Sequence, residues 1–308
     1  MPNLILLSRD ADEYRALIEK ANLPDLNITS DYTQAEIVLG EPKAIRDALQ
    51  HLSQAKWIQA IYAGVEPLLD PSQRRDYVLT NARGVFGELM SEYVFGYLLF
   101  LEKKMLDRIQ AQEVREWRRT EPGVLRGKTI GLLGVGSIGA HLAGTAKHFG
   151  MNVRGYTRES ETSTQVNRYF HPSANGQDGL FAFAQGLDYL VSVLPRTEDT
   201  NKIVDAQLLD ALPHHAVFIN VGRGNAVDEA ALEMALKEGR LSAAVLDVFE
   251  HEPVPAEHPF WSTPNLYMTY HTSAISYPED ITRVFIENYL LYIEGKPLKY
   301  IVDLERGY

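Results

Sequence analysis

The chain has 308 residues, no cysteine, 45% hydrophobic residues and a formal net charge of -11. The absence of cysteine excludes disulfides, thiolate metal ligands and a cysteine nucleophile. The acidic balance disfavours nucleic acid and small anions alike, so an anionic ligand needs a local cationic pocket, and no run approaches the ~18 apolar residues of a membrane span.

The first apolar run, Leu4 to Leu7, is short for a signal core and is followed at once by Asp10, Asp12 and Glu13. It reads as a buried strand over 3–7, and a cytoplasmic location is the expectation. Further strands are predicted at 27–29, 36–39, 57–61 and 77–79, with helices near 10–21, 43–53 and 66–74. Strands alternating with helices imply a parallel sheet covered on both faces. One long helical pattern runs from Glu88 to Arg119, apolar in its first half and charged in its second, as expected of a bridge between domains or a dimer contact. Glu121-Pro122-Gly123 ends it.

A strand at 129–133 then leads into Gly134-Val135-Gly136-Ser137-Ile138-Gly139, a helix over 140–149 and a strand over 152–156. In that setting the three glycines are a dinucleotide-binding turn. The first permits the tight bend, the second admits a pyrophosphate to the backbone, and the third lets helix and strand pack closely. The helix N-terminus offers unpaired N–H groups to the phosphates. At the end of the second strand stand Thr157 and Arg158, where an NAD-binding chain usually carries Asp or Glu. Threonine and arginine suit a 2′-phosphate, so NADP(H) is favoured, and Glu159 leaves NAD(H) open.

Strands follow at 187–194, 216–221, 243–248 and 267–269, each ending in a polar or glycine-bearing loop, and a last helix spans 279–293 and returns to the first domain. The glycine turn lies too far along the chain for an N-terminal nucleotide domain. The expected fold is therefore α/β, with two doubly wound parallel-sheet domains. A Rossmann-type domain at 97–281 is inserted into a flavodoxin-like substrate domain made of 1–96 and 282–308.

Three of the strand-end loops carry Arg223, Glu252 and His271. A guanidinium can grip a carboxylate and a neighbouring carbonyl oxygen. A histidine exchanges protons near neutral pH, and a glutamate bonded to it favours the imidazolium and fixes its tautomer. With a nicotinamide these groups make a hydride-transfer site. Val221, Gly222 and Asp247 lie at the ends of the same strands, Leu194 and Pro195 end the strand at 187–194, and all five are expected to line the cofactor with Gly134, Gly136, Ser137, Ile138, Gly139, Thr157 and Arg158. Asp247 has a second expected task, supporting Arg223 or its loop. The nearby His251, Glu252, Glu257 and His258 resemble metal ligands only superficially, because Pro253, Pro255 and Pro259 forbid the helix such a zinc site needs, and no metal is expected.

Residues 54 to 308 resemble the D-2-hydroxyacid dehydrogenase family, most closely its glyoxylate/hydroxypyruvate reductase A branch. The resemblance rests on Ala63-Gly64-Val65-Glu66, Gly134 to Gly139, Leu194-Pro195, Asn220 to Gly224, Leu246 to Phe249 with Glu252-Pro253, His271 and the terminal Arg306-Gly307-Tyr308. It implies that Arg223, Glu252 and His271 are the catalytic trio, and that Ala63, Gly64 and Val65 offer backbone N–H groups to a substrate carboxylate. It also implies NAD(P)H-dependent reduction of small 2-oxo acids such as glyoxylate and hydroxypyruvate to (R)-2-hydroxy acids, and the long helix over 93–119 makes a homodimer the expectation. The alternatives are a dehydrogenase for bulkier oxo acids such as phenylpyruvate, or a nucleotide-responsive corepressor-like binding protein. Two positions depart from expectation. Tyr270 replaces the proline that usually precedes the histidine, which loses a restraint on φ, and Glu41 places a carboxylate where the family has the substrate pocket, so it should face solvent or pair with a base.

Overall fold

The computed structural model describes residues 1–158, 160–172 and 178–308, and the chain divides into two compact units, Met1–Val85 with Ile275–Tyr308, and Phe86–Ala274. Among the described residues no helix is long and apolar enough to cross a membrane.

The first unit is built on β1 (Asn3–Leu7), α1 (Ala11–Ala21), β2 (Asn27–Ile28), β3 (Ile37–Gly40), α2 (Pro42–Ala48), β4 (Trp57–Ala60) and β5 (Val78–Thr80). Its five strands are all parallel, in the order β2-β1-β3-β4-β5. That is the flavodoxin-like order, with its topological reversal between β1 and β3. β3 and β4 are buried along their whole length, which explains why they are apolar apart from the hydrogen-bonded Gln59. The C-terminal helix Pro278–Ile293 belongs to this unit, as expected. Phe285 and Tyr292 stack on Trp57 at 5.2 and 5.4 Å, and the buried Asn288 bonds the side chain of Gln59. The helix predicted at 66–74 shrinks to a single 3-10 turn at Glu66–Leu68, since Pro71 has no N–H to donate to the turn before it.

The second unit begins with α3 (Gly87–Glu102) and α4 (Met105–Glu113), followed by β6 (Thr129–Leu133), α5 (Ser137–His148), β7 (Asn152–Tyr156), β8 (Arg168–Phe170), α6 (Asp178–Ala184) and β9 (Tyr189–Ser192). It closes with α7 (Ala206–Ala211), β10 (Val217–Asn220), α8 (Glu229–Lys237), β11 (Ala243–Leu246) and β12 (Leu266–Met268). Its seven strands lie in the order β12-β11-β10-β9-β6-β7-β8, all parallel, so the topological reversal falls between β6 and β9. Alternate strand residues feed two cores. Val191, Ile219 and Val245 pack with α3 and α5, while Leu190, Phe218 and Ala244 pack with α6, α7 and α8.

Two expectations change. The division falls at 85/86 and 274/275 rather than at 96/97 and 281/282, because Val94, Phe95 and Leu98 of α3 are buried in the second unit's core. The predicted continuous helix over 88–119 is two helices, broken at Lys104 in the left-handed region, and the chain leaves helix altogether after Glu113. Nothing in Glu102-Lys103-Lys104-Met105 forbids a helix. Tertiary contacts decide instead: the carbonyl of Glu102 accepts the N–H of Gly123 at 2.8 Å, and that of Lys103 accepts Nε of Arg108 at 2.8 Å.

Candidate functional site

The chemistry-bearing residues of the second unit gather beyond the carboxyl ends of its strands, where open parallel sheets bind ligands. After β6 the chain bends at Gly134, whose φ of +93° would strain any side-chain-bearing residue. A Cβ on Gly139 would stand 2.2 Å from the carbonyl oxygen of Gly134, so this contact between helix and turn demands glycine. Gly136 is different. It is exposed, and a Cβ there would meet nothing within 4 Å. It caps α5 without any side-chain hydrogen bond to the first turn, beside the exposed Ser137 and the half-buried Ile138. An uncapped helix start behind an open glycine fits a pyrophosphate. Leu194 lies against the same turn, its Cδ2 3.3 Å from the position a Cβ would take on Gly134, and Pro195 follows it.

Thr157 and Arg158 follow β7 as expected. Thr157 is nearly buried and donates its hydroxyl to the carbonyl of Ser160 at 2.9 Å. Arg158 extends Nη2 to the carboxylate of Asp199 at 2.6 Å. A third group joins them that sequence reasoning missed. His171, just past β8, puts Nδ1 3.0 Å from the carbonyl of Thr157 and Nε2 2.7 Å from the carboxylate of Glu161. Both ring nitrogens thus face acceptors, the pattern of an imidazolium. The hydrogen bond to Glu161 raises its pKa above the ordinary histidine value. Only the pairing of β8 with β7 brings it here, and β8 gave no periodic signal. Glu159, the residue that kept NAD(H) open, lies outside the described residues.

Arg223 follows β10 in the turn Val221-Gly222-Arg223-Gly224, with Val221 buried beneath it. The flanking glycines sit close against neighbouring backbone. A Cβ on Gly224 would stand 1.8 Å from the carbonyl carbon of Phe249, and one on Gly222 would stand 2.7 Å from backbone atoms of Leu194. The loop is packed tightly against its neighbours and so holds the arginine in place. The fully buried Asn220 also fixes it, accepting Gly222 N–H at 3.1 Å and donating to the Arg223 carbonyl at 2.9 Å.

Glu252 and His271 meet directly, Nδ1 to Oε2 at 2.9 Å, while the other oxygen of Glu252 accepts the N–H of Phe249 at 2.9 Å. The hydrogen bond that His271 donates to Glu252 raises the His271 pKa above the ordinary value, against opposition from burial and the positive charge of Arg223. Burial pushes the Glu252 carboxyl up, but the bonds from His271 and Phe249 outweigh it and hold the group below the usual range. With Nδ1 committed to Glu252, Nε2 is the nitrogen left for proton transfer.

Asp247 requires a correction. It was expected among the cofactor contacts, yet it is 0% exposed and spends its carboxylate on the histidine loop. One oxygen accepts the Thr269 hydroxyl at 2.5 Å and Thr272 N–H at 2.9 Å, and the other accepts Ser273 N–H at 3.0 Å. Its backbone carbonyl accepts His271 N–H at 2.7 Å, and Tyr93 OH extends the chain to Thr269 at 2.6 Å. This network brackets His271, whose φ is +56°, with hydrogen bonds on both sides. Tyr270 itself is exposed beside Trp261, ring centres 6.4 Å apart.

In the first unit, Ala63 is exposed, Gly64 half-buried and Val65 buried, in the turn after β4, and Asn81 bonds the Ala63 carbonyl at 2.8 Å. Glu41 pairs with a base: its carboxylate accepts Arg9 N–H at 3.1 Å and lies 3.5 Å from Arg9 Nε.

The family profile of the D-isomer specific 2-hydroxyacid dehydrogenase, NAD binding domain, matches residues 95–273. The chain is 32% identical over 271 residues to a glyoxylate/hydroxypyruvate reductase A of Serratia proteamaculans, covering 85% of this chain and 84% of that one. Among solved structures, a D-isomer specific 2-hydroxyacid dehydrogenase family protein of Aeromonas salmonicida is 41% identical with a TM-score of 0.91, covering 98% of this chain and 99% of that one. An NADPH-dependent glyoxylate/hydroxypyruvate reductase of Sinorhizobium meliloti, in complex with NADP and sulfate, is 27% identical with a TM-score of 0.88, covering 100% of both chains.

Proposed function

Since the chain belongs to the D-isomer specific 2-hydroxyacid dehydrogenase family, we propose that it reduces small 2-oxo acids, glyoxylate and hydroxypyruvate first among them, to (R)-2-hydroxy acids with NADPH. The observation that carries the reading is the His271–Glu252 pair at 2.9 Å, in the same unit as Arg223 and the uncapped glycine turn. The relatives named for glyoxylate and hydroxypyruvate reduction support the substrate class. The NADP bound to the Sinorhizobium meliloti reductase supports the cofactor.

The pyrophosphate is assigned to Gly134, Gly136, Ser137, Ile138 and Gly139, the 2′-phosphate to Thr157 and Arg158, and the remaining cofactor surface to Leu194, Pro195, Val221 and Gly222. When bound, the nicotinamide supplies the hydride. Arg223 grips the substrate carboxylate and stabilises the negative charge that develops on the 2-oxo oxygen. His271, held protonated by Glu252, gives its Nε2 proton to that oxygen, so the product leaves with the hydride on carbon and the proton on oxygen. Asp247 acts at one remove, by holding the loop that carries His271. In the first unit, Ala63, Gly64 and Val65 are assigned the substrate carboxylate, and that unit is read as the substrate domain.

The active form is read as a cytoplasmic homodimer. Supporting this, Leu106 and Ile109 of α4, and Val114 and Trp117 beyond it, are exposed, Trp117 to 95%. An almost bare tryptophan, with exposed apolar side chains on the helix before it, fits a contact with a second copy.

The test is NADPH oxidation over a panel of 2-oxo acids, including phenylpyruvate, repeated with NADH. Turnover of glyoxylate and hydroxypyruvate with NADPH is expected. Faster turnover of phenylpyruvate would move the assignment to bulkier acids, and no turnover with any acid would overturn it in favour of a binding protein.

A further inference from the structure

The two cationic side chains beyond β7 and β8 are each already engaged by a carboxylate. Arg158 Nη2 bonds Asp199 Oδ2 at 2.6 Å, and His171 Nε2 bonds Glu161 Oε1 at 2.7 Å. The Thr157 hydroxyl is turned toward the carbonyl of Ser160 at 2.9 Å. An arriving 2′-phosphate therefore finds both of these cations already engaged by carboxylates. It must displace a carboxylate from Arg158 or share the guanidinium with it.

Asp199 is not a loose surface charge. It sits in the loop after β9, in a turn locked by two threonines. Thr197 N–H donates to Thr200 Oγ1 at 3.0 Å, Thr200 Oγ1 donates to the Pro195 carbonyl at 2.8 Å, and Asn201 N–H closes onto the Glu198 carbonyl at 3.1 Å. That turn is continuous with Leu194-Pro195, so the loop that borders the glycine turn also fixes the competing carboxylate. The pair is nonetheless open to water, with side-chain exposures of 48% for Arg158 and 74% for Asp199. An exposed pair of this kind is weak enough for a doubly charged phosphate to break.

We propose that Asp199 is a specificity-determining residue for the cofactor: it competes with the 2′-phosphate for Arg158 and so lowers the preference of this chain for NADP(H) over NAD(H). A ribose hydroxyl makes no such demand on Arg158, so NAD(H) binding is indifferent to the pair. Glu161 acts in the same sense through His171, at longer reach. The inference rests on the assignment of the 2′-phosphate to Arg158.

The experiment is calorimetric titration of NADP+ and NAD+ into the whole protein, as wild type, Asp199→Asn, Arg158→Ala and the double variant. Both substitutions lie on exposed side chains. Releasing Arg158 from this exposed ion pair should let Asp199→Asn tighten NADP+ about two- to fivefold. NAD+ affinity should stay within about twofold, and the gain should vanish in the double variant, because Asp199 acts through Arg158. If Asp199→Asn leaves the NADP+ to NAD+ affinity ratio unchanged or lowers it, while Arg158→Ala reduces it, Asp199 is no competitor and the inference falls alone. If Arg158→Ala leaves the ratio unchanged, the 2′-phosphate assignment falls and takes the inference with it.

Discussion

Replacing Asp247 by Asn tests whether a buried carboxylate, rather than a proline, holds the proton-donating loop. The side chain has no access to water and accepts three donors, the Thr269 hydroxyl at 2.5 Å and the N–H groups of Thr272 and Ser273 at 2.9 and 3.0 Å. Asparagine keeps one acceptor oxygen. If that oxygen serves Thr269 and Thr272, its NH2 must face the N–H of Ser273, donor against donor. One buried donor left unmet costs about 1–3 kcal/mol, and the bonds that remain lose their charge assistance, about 1 kcal/mol each. Relief of the desolvated charge offsets part of this. A net loss of about 2–4 kcal/mol follows. For a unit of this size it lowers the melting temperature of the second unit by roughly 4–16 °C. Because His271 N–H bonds the Asp247 carbonyl and its loop loses its anchor, turnover should fall on the order of 100-fold. Thr269→Val is the milder companion. It leaves the carboxylate with both N–H donors and should cost about 1 kcal/mol. The assays are calorimetric melting and steady-state reduction of glyoxylate. An Asp247→Asn protein that melts and turns over like wild type would refute the anchoring role.

Glu252→Gln should move the alkaline limb of kcat/KM for oxo-acid reduction to lower pH. Glu252 is the chief cause of the raised His271 pKa, and reduction needs the imidazolium; an unmoved limb counts against the proton-donor assignment. The same pair makes a stability prediction. The histidine part is present below about 6.5 and fades as pH rises through the raised folded value. The glutamate part is present above about 4.5 and fades as pH falls through the lowered one. The stability gap between wild type and Glu252→Gln should therefore be widest between those values, which a melting series from pH 4 to 9 reads directly. Gly136→Ala and Gly139→Ala form a contrasting pair. The first has open space for its methyl group and should fold normally but bind NADP+ at least about tenfold more weakly. The second drives a Cβ to 2.2 Å from the Gly134 carbonyl oxygen and should lower the melting temperature. The reverse pattern in calorimetry would remove Gly136 from the phosphate site. Trp117→Arg should convert a dimer into a folded monomer in sedimentation velocity, and a variant that sediments like wild type moves the interface elsewhere.

The sequence made the sheet strands and the strand-end chemistry legible for one physical reason. Buried parallel strands are short apolar runs, and each must end in a loop where side-chain and backbone polarity returns. Val217–Asn220 and Ala243–Leu246 show the pattern plainly, and Arg223 and Asp247 lie just beyond them. What stayed hidden depended on partners far along the chain. The break at Lys104 comes from Gly123 taking the Glu102 carbonyl, and no local signal announces it. β8, three residues long, is a strand only because β7 lies beside it, so His171 could not be placed. Asp247 was visible as a strand-end carboxylate, but its task depended on which loop its oxygens meet. The reason Gly222 and Gly224 must be glycine, close approach to Leu194 and Phe249, is likewise a tertiary fact.

Beyond the strands of the second sheet, one kind of contact has two opposite consequences. In the proposed mechanism the cation at His271 must hold a proton until the oxo acid accepts it, and a carboxylate at 2.9 Å helps by favouring the charged ring. At Arg158 the cation has no proton to manage, since guanidinium stays charged throughout the working pH range. Its proposed task is to attract an anion, and a carboxylate at 2.6 Å opposes that task. The sign of the effect is set by whether the cation's function is proton transfer or charge recognition. Neutralising Glu252 should therefore depress the reaction in a pH-dependent way with either cofactor. Neutralising Asp199 should leave the pH profile alone and change only the discrimination between cofactors. Because both substitutions remove one negative charge from an ion pair in the same unit, a general change in electrostatic potential would move both readouts together, and the separation of the two tells local pairing from bulk charge.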